Sequence, residues 1–129
     1  MPTVLLVDDE AATVFGLKVL LEAEGVRVLD AGEKAAALAL LDSHPVDVLL
    51  TDVQLTAARD THGLDLLMHI RRRGLPVRSI VVTGYGAPGI LQAAFDLGAA
   101  YYFEKPVSLE ALSEALRDLG VSCTLNKGR

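Results

Sequence analysis

The sequence predicts a doubly wound α/β domain, in which helices cover both faces of a five-stranded parallel sheet. Three observations carry this prediction. Five short apolar runs alternate with five longer segments whose apolar residues recur at helical spacing. The apolar runs are continuous rather than alternating, which is typical of strands buried on both faces. Strands separated by helices pair in parallel through right-handed crossovers, so a three-layer sandwich follows.

The first unit begins with a strand at residues 4–7, a short run rich in β-branched residues that ends at an acidic pair. The first helix is identified by three apolar residues at helical spacing and a terminal glycine: Val14, Leu17, Leu21 and Gly25. A weaker second strand covers residues 26–29. The second helix covers residues 35–41 and closes before Pro45, because the residue preceding a proline avoids helical dihedral angles.

The remaining three units repeat this pattern. Strands are predicted at residues 46–51, 80–82 and 101–103. The third, fourth and fifth helices are identified by apolar residues at helical spacing: Leu64, Leu67 and Met68; Ile90, Ala94 and Leu97; Leu109, Leu112 and Leu116. Glycine or proline residues end these helices, namely Gly74, Pro76, Gly98 and Gly120.

Composition sets the broad class of protein. The 129 residues fit one domain, predicted at residues 1–120, with a tail or linker start at residues 121–129. We expect no signal peptide, since the chain leads straight into a strand, and no apolar run approaches the roughly 20 residues of a membrane span. The single Cys123 suits a reducing cytoplasm. The net charge of −5 argues against direct binding of nucleic acid, and without a long apolar run we expect no association with a membrane.

Polar residues stand at four strand ends. Asp8 and Asp9 follow the first strand, Asp52 follows the third, Thr83 ends the fourth, and Lys105 follows the fifth. The carboxyl ends of the strands in an open parallel sheet line one crevice, so these side chains are expected to meet. Three carboxylates, a hydroxyl and a lysine together suit a phosphoryl group and a divalent cation.

The chemistry of such a site assigns roles to the acidic residues. An exposed, ionised Asp52 at a strand tip is suited to accept a phosphoryl group as the nucleophile. Phosphate and carboxylate repel each other, so a divalent cation has to bridge them. Mg²⁺ prefers hard oxygens, which Asp8, Asp9 and Asp52 supply, and the main-chain carbonyl of Gln54 is a further candidate ligand.

The remaining two site residues would act on the phosphoryl group itself. Lys105 supplies a positive charge to the equatorial oxygens during transfer. The hydroxyl of Thr83 can donate a hydrogen bond to the bound phosphoryl group. A cis peptide bond between Lys105 and Pro106 would aim the lysine inward, and the sequence leaves the isomer open.

Each of these residues also has a simpler interpretation. Asp8 or Asp9 caps the first helix, since Asp is a favoured N-cap residue. Asp52 begins a loop, Thr83 reflects strand propensity, and Lys105 is an ordinary turn residue. All of these interpretations would have to hold independently at four strand ends, so we favour the joint site.

With these motifs placed, the chain resembles a receiver domain of bacterial two-component response regulators over residues 3–119. The matching motifs are Val7-Asp8-Asp9-Glu10, Leu50-Thr51-Asp52, Val82-Thr83-Gly84, Gly98-Ala99 and Tyr102-Phe103-Glu104-Lys105-Pro106. The resemblance implies the flavodoxin-like strand order 2-1-3-4-5. It also implies phosphoryl transfer, dependent on Mg²⁺, to Asp52 from a sensor histidine kinase or a phosphotransfer protein.

The resemblance further implies a switch. Thr83 would move toward the phosphoryl group, and Tyr102 would rotate inward behind it. The face formed by the fourth helix, fifth strand and fifth helix, about residues 87–118, would then contact a kinase, a downstream protein target or fused output domain, or a second copy in a homodimer. Tyr85 stands where the family places a side chain that controls water access to the phosphoryl group.

The chain departs from the family pattern after Asp52. The usual proline is missing from residues 53–56, and the glycine expected eight positions after the aspartate comes only at Gly63. The loop is therefore predicted to be three residues longer, which affects the position of Gln54. His62 in this loop is interpreted as a solvated residue rather than a phosphodonor or metal ligand.

Two rival functions remain alternatives. Hydrolases that form an aspartyl phosphate typically use D-x-D-x-[TV], and the segment from Asp52 to Thr56 lacks the second aspartate. A receiver-like interaction module that works without phosphorylation would typically have lost an acidic residue, the threonine or the lysine. We therefore expect a signalling phosphoacceptor rather than an enzyme acting on a separate substrate.

The output remains open at this point. We favour a stand-alone receiver over a fragment of a longer regulator, because only residues 121–129 follow the last helix. The cognate kinase, its stimulus and the oligomeric state have no signal in the sequence.

Overall fold

The computed structural model describes residues 1–56, 60–84, 86 and 88–121 of the chain. The strands are β1 (Thr3–Val7), β2 (Arg27–Ala31), β3 (Val48–Thr51), β4 (Arg78–Thr83) and β5 (Tyr101–Glu104). The helices are α1 (Ala11–Ala23), α2 (Lys34–Ser43), α3 (His62–Arg73), α4 (Pro88–Asp96) and α5 (Leu109–Asp118). All strands pair in parallel in the order β2-β1-β3-β4-β5. The predicted fold class and strand order are therefore confirmed.

The sheet has a separate hydrophobic cluster on each face. Leu5, Leu49 and Val81 point to one face, where α2, α3 and α4 pack. The neighbouring residues Leu6 and Leu50 point to the other face, where α1 and α5 pack. Successive strand residues alternate between the faces, so burial on both faces requires the continuous apolar runs seen in the sequence.

Backbone hydrogen bonds extend the sheet by one residue beyond several strand ends. The amide of Asp8 donates to the carbonyl of Ala31, and the amide of Asp52 donates to the carbonyl of Val7. The amide of Lys105 donates to the carbonyl of Thr83 at the other side of the sheet. The ladder therefore fixes the main chain at three of the residues expected to form the site.

The bounds of most elements differ from the predicted ones by a few residues. β4 begins at Arg78, two residues before the apolar run, because a polar residue at the start of a strand carries no hydrophobic signal. β3 begins at Val48, two residues later than predicted. The four glycines predicted to end helices all have positive φ, which glycine adopts without steric cost: Gly25, Gly74, Gly98 and Gly120.

The placement of His62 in a loop is wrong. His62 is the first residue of α3, because the carbonyl of Thr61 already accepts from Leu64 and Asp65 in the first helical turn. The Nδ1 atom of His62 lies 3.5 Å from Oδ1 of Asp60. No helix within the described part of the chain is long and apolar enough to cross a membrane.

Candidate functional site

Lys105 brings two of the acidic residues together. Its Nζ lies 3.0 Å from Oδ2 of Asp8 and 2.9 Å from Oδ2 of Asp52. The side chains of Asp8 and Asp52 are 13% and 10% exposed, and that of Lys105 is 30% exposed. Lys105 is thus in contact with residues 97 and 53 positions away in sequence, at the carboxyl edge of the sheet.

The ammonium of Lys105 is held in its charged form. Burial of the group opposes ionisation, but the hydrogen bonds to Asp52 and Asp8 outweigh that effect and raise its pKa. The peptide bond that follows Lys105 is cis.

The negative charge of Asp9 is not among those that Lys105 contacts directly. Its pKa is raised by desolvation and by repulsion from the carboxylates of Asp8 and Asp52. One ammonium against three carboxylates leaves the cluster with a net negative charge. This edge of the sheet therefore attracts cations.

The acidic pair does not cap the first helix. Glu10 is the N-cap residue of α1, and its backbone amide donates to Oδ1 of Asp8 at 2.9 Å. The alternative in which Asp8 or Asp9 serves as the cap is therefore wrong, because the chain runs two residues past Asp8 before the helix begins.

Asp52 is more enclosed than the sequence predicted. The residue is 8% exposed, where an exposed strand tip was expected. Lys105 contacts Oδ2, and the backbone amide of Gln54 donates to Oδ1 at 3.2 Å, so both carboxylate oxygens have neighbours. The side chain nevertheless borders a cavity of about 490 Å³, whose lining includes Asp8, Val82 and Lys105.

Asp60 organises the loop between β3 and α3, and the sequence analysis missed it. Its Oδ1 accepts from the amides of Leu55 and His62, at 3.0 and 2.9 Å. Its Oδ2 accepts from the amide and the hydroxyl of Thr56, at 2.8 and 2.6 Å. Burial of the carboxyl favours its neutral form, but these hydrogen bonds outweigh burial and hold the pKa of Asp60 well below its usual range.

Gly63 packs so closely against the main chain of Asp52 that this position requires a glycine. Its amide donates to the carbonyl of Val53 at 2.8 Å. A Cβ atom on residue 63 would lie 1.9 Å from the carbonyl oxygen of Asp52 and 2.8 Å from Cα of Val53. Only glycine permits this approach of α3 to the main chain of Asp52.

Thr83 and Tyr102 lie on the same face of neighbouring strands. Tyr102 pairs with Val81, and Thr83 follows two residues later on the same strand, fully buried. The Tyr102 ring packs against Phe95 with centroids 6.5 Å apart. Its hydroxyl is buried without a hydrogen-bond partner among the described residues. Burial raises the pKa of Tyr102, and the negative charge of Glu104 raises it further. The ring is therefore already directed inward.

The donor set can be tested against Mg²⁺. Within residues 1–56, 60–84, 86 and 88–121, no group of three His, Cys, Asp or Glu side chains could hold a metal ion by itself. Mg²⁺ usually keeps several waters and binds through only one or two carboxylates. The hard oxygens and the net negative charge of this cluster fit that mode. The set of Asp8, Asp9, Asp52 and the Gln54 carbonyl remains a prediction.

Some expectations fall outside the described residues. They concern Tyr85, the part of the long loop at residues 57–59, position 87 at the start of the signalling face, and the tail at residues 122–129. The predicted domain boundary at residue 120 also stays a prediction.

Comparisons with known proteins agree with this geometry. The family model of the response regulator receiver domain matches residues 4–117. The photosynthetic apparatus regulatory protein RegA of Cereibacter sphaeroides is 32% identical over 120 residues, which cover 93% of this chain and 64% of RegA. The chain therefore spans less than two thirds of that relative's length.

Solved structures give the same result. A CheY-like response regulator receiver domain from Methanospirillum hungatei is 30% identical and has a TM-score of 0.77, covering 92% of this chain and 96% of that one. A response regulator from Burkholderia pseudomallei, solved with a phosphorylated aspartic acid, a calcium ion and citrate, is 27% identical, with a TM-score of 0.78. The match covers 90% of this chain and 66% of the Burkholderia chain. The chain belongs to the response regulator receiver domain family of two-component systems.

Proposed function

We propose that this receiver domain accepts a phosphoryl group on Asp52 in a reaction that depends on Mg²⁺. The donor is a sensor histidine kinase or a phosphotransfer protein. The observation that carries the proposal is the contact of Lys105 with both Asp8 and Asp52 at the carboxyl edge of the sheet. A lysine held between two carboxylates can neutralise negative charge on a phosphoryl group, while the neighbouring carboxylates bind the cation.

The transfer step balances as a displacement at phosphorus. An oxygen of the Asp52 carboxylate attacks the phosphorus, the bond from phosphorus to the donor histidine nitrogen breaks, and that nitrogen keeps the electron pair. The contact with the Gln54 amide orients Oδ1 of Asp52. Lys105 lies beside Oδ2, where it can neutralise charge on the equatorial oxygens during transfer.

Asp8, Asp9, Asp52 and the Gln54 carbonyl would hold Mg²⁺. When bound, the cation supplies positive charge that offsets the repulsion between carboxylate and phosphate. The pKa of Asp9 is raised first by burial and then by repulsion from Asp8 and Asp52, and the repulsion supports this assignment because a cation would relieve it. The phosphorylated aspartic acid and calcium ion of the Burkholderia structure support the same chemistry in a similar fold.

The response would pass from Thr83 to Tyr102. The Thr83 hydroxyl would turn toward the phosphoryl group, and the inward position of Tyr102 would become more populated. The face of α4, β5 and α5 would then contact a downstream protein target, a fused output domain or a second copy of the chain. The domain would work beside its kinase in the cytoplasm, and would act as an enzyme only on its own phosphorylation and dephosphorylation.

Phosphorylation with acetyl phosphate tests the proposal. Mass spectrometry is expected to detect one added phosphoryl group in the wild type and none in Asp52→Asn. The matched control is Asp65→Asn, which removes a carboxylate from a surface ion pair with Lys34. Chelation of Mg²⁺ is expected to abolish labelling in both the wild type and the control.

The three possible functions give different results in this experiment. Stoichiometric labelling that requires Asp52 supports a phosphoacceptor. Repeated turnover of the donor would instead indicate a hydrolase, and no labelling would indicate an interaction module. Labelling that survives Asp52→Asn would refute the assignment of the acceptor.

A further inference from the structure

We propose that Asp60 is a positioning residue for the cation site, because it fixes the orientation of the Gln54 peptide group. This inference rests on the proposed function, in which the Gln54 carbonyl is a ligand of Mg²⁺. Asp60 itself would not touch the cation. It would act through the backbone of the lengthened loop between β3 and α3.

The link between Asp60 and Gln54 is a single peptide plane. The amide of Leu55 and the carbonyl of Gln54 belong to the same planar trans peptide group, so they point in opposite directions. Oδ1 of Asp60 accepts from the Leu55 amide at 3.0 Å. The Gln54 carbonyl is therefore directed away from Asp60, and any rotation of this peptide group would break that hydrogen bond.

The other side of Gln54 is also fixed. Its own amide donates to Oδ1 of Asp52 at 3.2 Å, and its side-chain amide donates to the Thr56 carbonyl at 3.0 Å. Thr56 is in turn held by its amide and hydroxyl, both of which donate to Asp60. The main chain from Asp52 to Thr56 thus has contacts at each end, and Asp60 supplies those at the far end.

The enclosure of Asp60 suits this role. Its side chain is 10% exposed, and its two oxygens accept four hydrogen bonds from described residues. A carboxylate that is satisfied in this way has little freedom to rotate. The pair Gly63 and Val53 closes the same segment at its base, so the loop cannot shift as a whole without breaking their hydrogen bond.

A purely structural role for Asp60 makes a different prediction. Such a role would lower the thermal midpoint of the metal-free protein and leave the affinity for Mg²⁺ unchanged. A positioning role lowers the affinity, because a peptide group that rotates freely has to be ordered when the cation binds. Partners that orient metal ligands typically contribute about 10- to 100-fold to affinity.

Isothermal titration of Mg²⁺ into metal-stripped protein tests the inference. Asp60→Ala removes both acceptor oxygens, and with them all four hydrogen bonds, and is expected to raise the dissociation constant about 10-fold or more. Asp60→Asn keeps an Oδ1 acceptor for Leu55, so its constant is expected to lie between those of the wild type and Asp60→Ala. The control Asp65→Asn is expected to bind as the wild type does. In the metal-free protein, the NMR signal of the Leu55 amide is expected to shift strongly in Asp60→Ala.

Each result bears on a different statement. A folded Asp60→Ala that binds Mg²⁺ with the wild-type constant overturns the inference and leaves the proposed function intact. A wild type that binds no Mg²⁺ and is not labelled at Asp52 contradicts the proposed function, and the inference with it. Should Asp60→Ala not fold, Asp60→Glu decides: it keeps the charge but adds a methylene, so weaker Mg²⁺ binding is expected and an unchanged constant overturns the inference.

Discussion

Lys105 is the residue on which the charge balance of this edge of the sheet depends. Its ammonium contacts two carboxylates directly, while Asp9 remains without such a contact among the described residues. In the metal-free protein Lys105 therefore neutralises Asp8 and Asp52 only in part. A divalent cation would complete the balance, because its two positive charges equal the excess of three carboxylates over one ammonium.

Asp9→Asn tests this balance. In metal-free protein at pH 7, the thermal midpoint is expected to rise, because the substitution removes a charge repelled by Asp8 and Asp52. The dissociation constant for Mg²⁺ is expected to rise as well. Circular dichroism melts with and without Mg²⁺ measure both effects, and a fall of the midpoint at pH 7 would show that Asp9 is structural instead.

The pH dependence of the Asp9 effect has a defined sign. The folded-state pKa of Asp9 is raised above 3.8, its ordinary value, so the folded state binds the proton more tightly than the unfolded state does. The stability contributed by that proton is fully present below pH 3.8 and is lost as the pH rises through the folded-state pKa. The advantage of Asp9→Asn is therefore expected to be absent at pH 3 and to appear as the pH rises.

At the residue scale, the sequence predicted the positions that topology fixes. Asp8, Asp52 and Lys105 each follow a strand of the parallel sheet, so their approach follows from parallel pairing alone. Asp60 could not be found in this way, because its contacts depend on how an irregular segment folds around one carboxylate. The enclosure of Asp52 was missed for a similar reason, since the amide of Gln54 in the following loop contacts its carboxylate in addition to Lys105.

At the scale of elements, the approach of α3 to β3 determines where Asp52 lies. Gly63, the second residue of α3, contacts the carbonyl of Asp52 so closely that no side chain fits between them. The helix thus acts as a support for the main chain of the proposed phosphoacceptor. The sequence indicated only that the glycine comes late, and its steric reason required the packing of α3 on the strand end.

Gly63→Ala is expected to destabilise the protein by about 1–3 kcal/mol, the usual range for overpacking, because backbone atoms cannot yield as a flexible side chain can. Labelling of Asp52 is expected to slow as its main chain is displaced.

The matched control is Gly16→Ala in α1, where an added Cβ meets no atom within 4 Å. That control is expected to gain about 1 kcal/mol from helix propensity. Urea unfolding and labelling rates check both variants, and wild-type behaviour of Gly63→Ala would refute the close approach.

The helices and strands themselves were largely predictable. Continuous apolar runs located the five strands and apolar periodicity located the five helices, because each element packs against the sheet or forms part of it. The errors lie at polar ends such as Arg78 and His62, where hydrogen bonds rather than burial set the boundary. Periodicity carries no information about such bonds.

At the scale of the whole molecule, the two hydrophobic clusters lie on opposite faces of the sheet and differ in their relation to the proposed switch residues. Thr83 and Tyr102 belong to the face that α4 covers, so a change at the proposed phosphorylation site would reach the surface through that side of the sheet. Leu91 and Phe95, which are exposed, belong to α4 on this same side of the sheet. The exact strand order came from the family resemblance, since alternating strands and helices alone permit more than one order.

Beryllofluoride, a mimic of the phosphoryl group, is expected to shift NMR signals at Tyr102 and across α4, β5 and α5. Thr83→Ala is expected to weaken these shifts without abolishing labelling, because it removes the hydrogen bond proposed between Thr83 and the phosphoryl group. Ser79→Ala is the matched control, since Ser79 is also buried but lies near the opposite end of β4. Shifts confined to the loops around Asp52 would describe a phosphate acceptor without a switch.

The hydrogen bond between Gly63 and Val53 has a consequence for engineering the protein. It closes the base of the loop between β3 and α3, so the number of residues between Thr56 and Asp60 is not dictated by the distance between the two elements. Closing a loop costs only about 0.6 kcal/mol more each time its length doubles. A few residues added to this loop are therefore expected to cost little free energy of closure, and the NMR signals of the Leu55 and Thr56 amides would show whether Asp60 still accepts their hydrogen bonds.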